Sequence, residues 1–305
     1  MGTAAPRPLV VATIQATPLP LDREATIERA CELIMDASDA GARLVVFPAT
    51  YSPGYPDWVW TIPANDTQRH RDLRATLLAN SVEVPGDCID RLCSIARRAR
   101  INVAIGISER AANGAALYNT ILHINERGDI LARHRAITLA SAEQLVWTPG
   151  DGETFGAVRY PFGLVGGLIG REHYLPLARH ALYAWGIRLY LAFGQESGDP
   201  WLATLRHIAR EGQVAVLNSN AIFAPDGRLL TNPAHQSSPF LTATLDTTWL
   251  LGNPESPAHI GADARADIFR LTIRRASPQP PLAIPTPSSS LPSESENSAP
   301  QQLPL

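Results

Sequence analysis

Cysteine is scarce in this 305-residue chain: Cys31, Cys88 and Cys93 form an odd set without metal-type spacing. Neither a disulfide framework nor a zinc site is indicated, and the three are expected to be buried structural thiols, Cys31 on the core face of its helix. Long apolar runs are missing as well, since no stretch approaches the ~18 uninterrupted apolar residues of a membrane span. The N-terminal MGTAAPRPLVVA has no basic region ahead of a long apolar core, and Pro6 stands where a myristoylation signal needs serine or threonine. A cytoplasmic protein without membrane attachment is expected. There is no surplus of positive charge either: the net charge is −3 and the pI about 6.2. The local cluster Arg97, Arg98 and Arg100 falls at a predicted helix end, where cations suit the dipole. No nucleic-acid partner follows from that pattern, and no metal or cofactor is expected.

What the chain does have is 45% apolar residues, enough for a substantial core. Leu9 to Ile14 (LVVATI) reads as a buried strand, and Asp22 to Ala40 carries Ile27, Cys31 and Ile34 at helical spacing. Leu44 to Phe47 predicts a second strand, Cys88 to Ala99 a second helix and Asn102 to Ile107 a third strand. Leu117 to Asn125 and Ile130 to His134 flank a turn at Glu126-Arg127-Gly128-Asp129, and Pro225-Asp226-Gly227 marks a later hairpin between Ile222 to Ala224 and Leu229-Leu230. Parallel-type strands with covering helices, plus hairpins, predict an α/β protein with mixed sheets. One domain over 1–277 is expected, followed by a Pro/Ser-rich tail, 278–305, whose composition predicts disorder.

Three ordered blocks carry a resemblance. Val165 to Arg179 (VGGLIGREHYLPLAR), continuing through Trp185, resembles the strand, turn and helix that hold the nucleophile in the nitrilase (carbon-nitrogen hydrolase) family. Arg43 to Trp60 (RLVVFPATYSPGYPDWVW) resembles the block with the general-base glutamate, and Asp129 to Trp147 (DILARHRAITLASAEQLVW) the block with the catalytic lysine. The resemblance covers roughly residues 8 to 275 and implies a four-layer α-β-β-α sandwich with two facing sheets. It also assigns the glutamate, lysine and cysteine positions to Ala49, Ala136 and Gly170, none of which has a functional group.

Other positions that the resemblance places in or near the pocket keep their character. Glu143 corresponds to a second family glutamate that supports the nucleophile region; Glu172 and His173 follow the nucleophile position, where packing or hydrogen bonding is expected of them; Tyr55 and Trp58 stand at the pocket mouth or in the core. Arg171 replaces a tryptophan of active relatives; either its guanidinium pairs with a pocket carboxylate, Glu143 first, and fills part of the vacated space, or it turns to solvent or a subunit boundary.

Two departures bear on assembly. Thr204 to Gly212 runs through Val214 to Leu217 and reaches AIFAPDG after only Asn218, Ser219 and Asn220, so an insertion that contributes to larger assemblies in the family is missing. Gly261 to Phe269 has Ala262, Asp263 and Ala266 where the family has His, Tyr and Pro. A homodimer through the Tyr174 to Trp185 helix, or a hetero-oligomer with an active paralogue, is the expectation.

The family reaction needs a thiolate, a proton-transferring carboxylate and a cation for developing charge. With all three positions empty, the sequence predicts a pseudoenzyme that keeps the fold for binding or assembly. The alternative is an acid/base or lyase-type enzyme using Glu143, Arg171 and His173, and a nitrile or amide hydrolase is the weakest reading.

Overall fold

The computed structural model describes residues 8–112, 114, 116–231, 238–251 and 267–273. Two sheets organise them. The first has the order β11-β1-β2-β3-β4-β5, built from β1 (Leu9–Ile14), β2 (Leu44–Val46), β3 (Asn102–Arg110), β4 (Leu117–Ile124), β5 (Ile130–Arg135) and β11 (Phe240–Leu245). Strands β1, β2 and β3 run parallel, whereas β11, β4 and β5 add antiparallel edges. The second sheet has the order β10-β9-β8-β7-β6, from β6 (Ala157–Tyr160), β7 (Gly163–Ile169), β8 (Leu189–Phe193), β9 (Ala215–Asn218) and β10 (Ala221–Phe223). Here β7, β8 and β9 are parallel, with an antiparallel strand at each edge.

The layering follows from alternation along the strands. Leu44 and Val46 join Leu189, Leu191, Ala215 and Leu217 in one apolar cluster between the sheets. Val45 and Phe47 face the other way, onto α1 (Arg23–Asp39) and α4 (Asp87–Ala99). Tyr190, Ala192 and Val216 face α5 (Pro176–Ala184) and α6 (Gly198–Gly212). Three apolar interfaces separate four layers, so the α-β-β-α sandwich implied by the resemblance is what forms.

Most predicted elements appear within a residue or two of their expected ends. The Asp22 carboxylate caps α1 by accepting the Ala25 amide at 3.0 Å. Cys31, expected on the core face of that helix, lies on its flank and is half-buried, because Ala30, Leu33, Ile34 and Ala37 take the core. The stretch where the resemblance implies an insertion is a tight hairpin in which Asn218 pairs with Ala221 across Ser219 and Asn220.

Several elements were not anticipated. Helix α3 (Thr67–Asn80) buries only His70 and Leu77, too sparse a stripe for a periodicity reading. The short α2 (Trp58–Thr61), the short edge strand β6, and β11, whose FLTATL does alternate, were also missed. The tail 278–305 and all but the last three residues of Gly261 to Phe269 lie outside the described residues.

Candidate functional site

The three positions assigned to catalysis come from separate strand ends. Gly170 follows β7 directly and opens a 3-10 turn, Gly170–Tyr174, and Pro176 then starts α5, where its missing N–H costs nothing. Gly170 has φ +51°, and a Cβ built there meets nothing within 4 Å. The position therefore combines a left-handed backbone with open space.

Ala49 lies just beyond β2 in a loop pressed against β3. A Cβ on Gly106 would stand 2.4 Å from the Pro48 carbonyl oxygen and 2.6 Å from Ala49 Cα, so only glycine lets these backbones approach. Gln195 holds the Ala49 carbonyl from the other sheet at 3.2 Å. Ala136 follows β5, its amide donating to Asn119 O at 2.9 Å and its carbonyl accepting from Gly150 at 2.7 Å. Both alanines are buried in the inter-sheet cluster, alongside Leu139, Val146 and Trp147.

Glu172 ties two of these positions together. Its carboxylate is fully buried and accepts the Ile169 amide (2.7 Å), the Ile137 amide (2.7 Å) and His134 Nε2 (2.9 Å to the nearer oxygen). Ile169 precedes Gly170 and Ile137 follows Ala136, so one carboxylate fixes the turn and the strand end relative to each other. Its lone pairs are used by donors that satisfy a buried charge. His134 was not singled out from sequence; its place near the end of β5, two residues before Ala136, was the available signal.

Glu143 is held differently. It opens the 3-10 turn Glu143–Leu145, accepts the Ala140 amide at 2.8 Å and takes the Tyr55 hydroxyl at 2.9 Å. Trp60 Nε1 donates to the same Tyr55 oxygen at 2.9 Å. Burial first, and the Glu143 charge second, push the Tyr55 phenol well above its ordinary range, so it stays a donor. The Tyr55 ring packs 5.7 Å from Trp147, and Trp58 lies 5.6 Å from the His70 ring.

Arg171 does not pair with Glu143. It is exposed and forms no ion pair among the described residues. A 3-10 turn rotates successive residues by about 120°, so the geometry that buries Glu172 turns position 171 outward. The need for a cation is also removed, because Glu143 and Glu172 already have their donors.

His173 is fully buried with both ring nitrogens engaged, Nδ1 2.8 Å from the Tyr190 hydroxyl and Nε2 3.2 Å from the Phe193 carbonyl. That carbonyl can only accept, so Nε2 carries the proton and Nδ1 receives the Tyr190 hydrogen. Burial lowers the His173 pKa to about 4. Its carbonyl accepts from buried Arg179, which also binds Glu211 on α6. Glu143, Arg171 and His173 thus face three different surroundings.

Neither a lysine nor a cysteine is supplied from elsewhere. All 26 basic residues are arginine, so the chain contains no lysine. Cys88 and Cys93 belong to the cluster under α1 and α4, Cys31 packs against it, and burial pushes all three thiols up.

Comparison with known proteins gives a consistent answer. The carbon-nitrogen hydrolase family model matches residues 10–249. The chain is 33% identical to an aliphatic nitrilase of Sinorhizobium fredii, over 86% of this chain and 94% of that protein. It is 30% identical to a bifunctional nitrilase/nitrile hydratase of Nicotiana tabacum, over 90% and 88% respectively. Among solved structures it resembles a Saccharomyces cerevisiae member of branch 10 of the nitrilase superfamily, with a TM-score of 0.65 and 19% identity over 83% of this chain and 98% of that one. An amidase from Nesterenkonia sp. gives 0.60 and 19% over 81% and 93%. With its two facing sheets, its turn after β7 and a family match over most of its length, the chain belongs to the carbon-nitrogen hydrolase (nitrilase) family.

Proposed function

We propose that this chain is a non-catalytic member of its family, a pseudoenzyme that keeps the sandwich for binding or assembly. The observation that carries this reading is compositional and spatial at once: there is no lysine anywhere, and all three cysteines sit with the α1/α4 layer. Covalent attack on a nitrile or amide carbon needs a nucleophile, and the two methyl groups and one hydrogen at Ala49, Ala136 and Gly170 provide none. General acid/base help of about 10² to 10⁴ in rate is lost with the glutamate. An acid/base or lyase-type chemistry would need Glu143, Arg171 and His173 to converge, and they do not.

The assembly half of the proposal is a homodimer through α5, or a hetero-oligomer with an active paralogue through the same face. Leu177 is 67% exposed and is joined at the surface by Tyr174, Leu175 and Trp185, while Ala181 and Leu182 point inward. Beside them an apolar groove of about 480 Å³ runs between Ile137, Phe155, Pro176 and Ile273. A patch of this kind suits a protein partner.

Intact-mass spectrometry after incubation with an activated nitrile, alongside light scattering of the purified protein, tests both halves. The expected result is unmodified protein eluting as a dimer. A covalent adduct on any residue of the pocket would overturn the non-catalytic reading.

A further inference from the structure

At the end of the sandwich remote from Gly170, a cleft of about 660 Å³ opens where the C-terminal ends of α1 and α4 meet the β4–β5 turn. Its lining includes four arginines, Arg43, Arg97, Arg100 and Arg127, and a single acid, Glu126. Small residues, Gly41, Ala42 and Ala99, leave room between them.

The cleft is built, not incidental. Asn102, buried at the start of β3, donates to the Arg43 carbonyl at 2.9 Å and accepts the Glu126 amide at 3.2 Å, tying two walls together. Arg97 Nε donates to the Arg127 carbonyl at 2.7 Å, anchoring the turn to α4. That turn presses so closely on the helix that a Cβ on Gly128 would stand 2.4 Å from the Cys93 carbonyl oxygen. Ser38 Oγ closes the back by donating to Ala99 O at 2.8 Å.

Charge inside this frame is unbalanced. Arg43 pairs with Glu126 at 2.8 Å, which leaves Arg97, Arg100 and Arg127 without an ion-pair partner among the described residues. Compensation of the α4 dipole accounts for Arg97 and Arg98 in its last turn. Arg100, the C-cap of α4 with φ +51°, also stands at that end, but the dipole does not account for Arg127, which arrives from another element and adds to the same charge. A single carboxylate would neutralise one guanidinium, whereas a diphosphate offers several oxygens and more than one charge to planar forks of this type. The volume also fits a small organic ligand, for which pockets run about 300 to 1,000 Å³.

We propose that this cleft is a second ligand site, taking a small organic diphosphate held chiefly by Arg100 and Arg127, with Arg97 and Arg43 at its flanks. Glu126 competes for Arg43 and so sets the affinity. A site here acts through binding and requires no chemistry from Gly170, so it stands whether or not the non-catalytic reading does.

Isothermal titration of the full chain with ADP, inorganic pyrophosphate and adenosine, at about 0.1 M salt, tests the assignment. ADP and pyrophosphate are expected to bind with Kd below about 1 mM, and adenosine not to bind. The double variant Arg100→Gln/Arg127→Gln should weaken ADP at least tenfold, and Arg159→Gln, an exposed arginine on β6, should leave it unchanged. Glu126→Gln should tighten binding severalfold by freeing Arg43, a gain that a purely structural arginine cluster would not show. Circular dichroism melts establish that each variant is folded. Absence of heat with ADP and pyrophosphate, an unaffected folded double variant, or equal displacement by sulfate would overturn the proposal. Tighter binding of a single-stranded oligonucleotide than of ADP would overturn it in favour of a nucleic-acid surface.

Discussion

His134 Nε2 lies 2.9 Å from Glu172 Oε2, with both side chains buried, and this contact joins β5 to the turn that follows β7. The two backbone amides on the same carboxylate, Ile137 and Ile169, flank positions 136 and 170. Glu172 thus keeps the frame of the site in register. Replacing Glu172 by glutamine turns one acceptor into a donor facing a buried N–H. Glu172→Gln should cost on the order of 3 kcal/mol in urea unfolding, whereas exposed Arg171→Ala should stay within about 0.5 kcal/mol. Equal effects of the two would contradict this division of roles.

Gly170 has room for a side chain, on a backbone that any residue with a Cβ adopts at some cost in strain. Its φ of +51° is a left-handed value, and a Cβ there meets no neighbour. Gly170→Ala should therefore destabilise by about 1 kcal/mol, through backbone strain alone. A neutral or stabilising result in thermal melts would show that the turn relaxes.

Acid should loosen the protein over a defined window. Burial depresses His173 to about 4 and His123 to about 3, below the ordinary 6.5. Below pH 6.5 the unfolded chain binds protons that the folded one refuses, so stability falls as pH drops from 6.5 towards 4. Each such group contributes up to about 1.4 kcal/mol per pH unit. Urea titrations at pH 7, 6 and 5 should show this decline, and a ring-nitrogen NMR titration should find His173 neutral at pH 5.5. A flat profile would mean that these rings titrate normally.

The dimer proposal has a single-residue test. Leu177 is 67% exposed on α5 and is not part of the apolar core clusters, so Leu177→Glu should leave the fold intact and convert dimer to monomer in light scattering. Unchanged size would move the interface elsewhere, and filaments of the native protein would show that the short Asn218–Ala221 hairpin does not limit assembly.

Strand periodicity and the three blocks made the architecture legible, because a buried strand such as LVVATI or LVV declares itself by composition. Helix α3 was not legible, since a helix with two buried residues carries almost no periodic signal. Within the site, Glu172 was marked by its place beside position 170, yet its partner was hidden. His134 is 38 residues away in sequence, and only the facing of the two sheets brings it near. Of the two readings of Arg171, the solvent-facing one is what forms, for a related reason. Charge balance suggested an inward guanidinium, but the 3-10 geometry sets its direction, and hydrogen bonds already stabilise both carboxylates.

Ammonia release by the purified wild-type protein, measured with aliphatic and aromatic nitriles, cyanide and simple amides, tests the central claim most directly. With no lysine in the chain, no cysteine at the turn after β7 and alanine at position 49, the rate should equal that of a heat-killed control for every substrate. Ammonia produced in proportion to protein concentration and abolished by heat would contradict it.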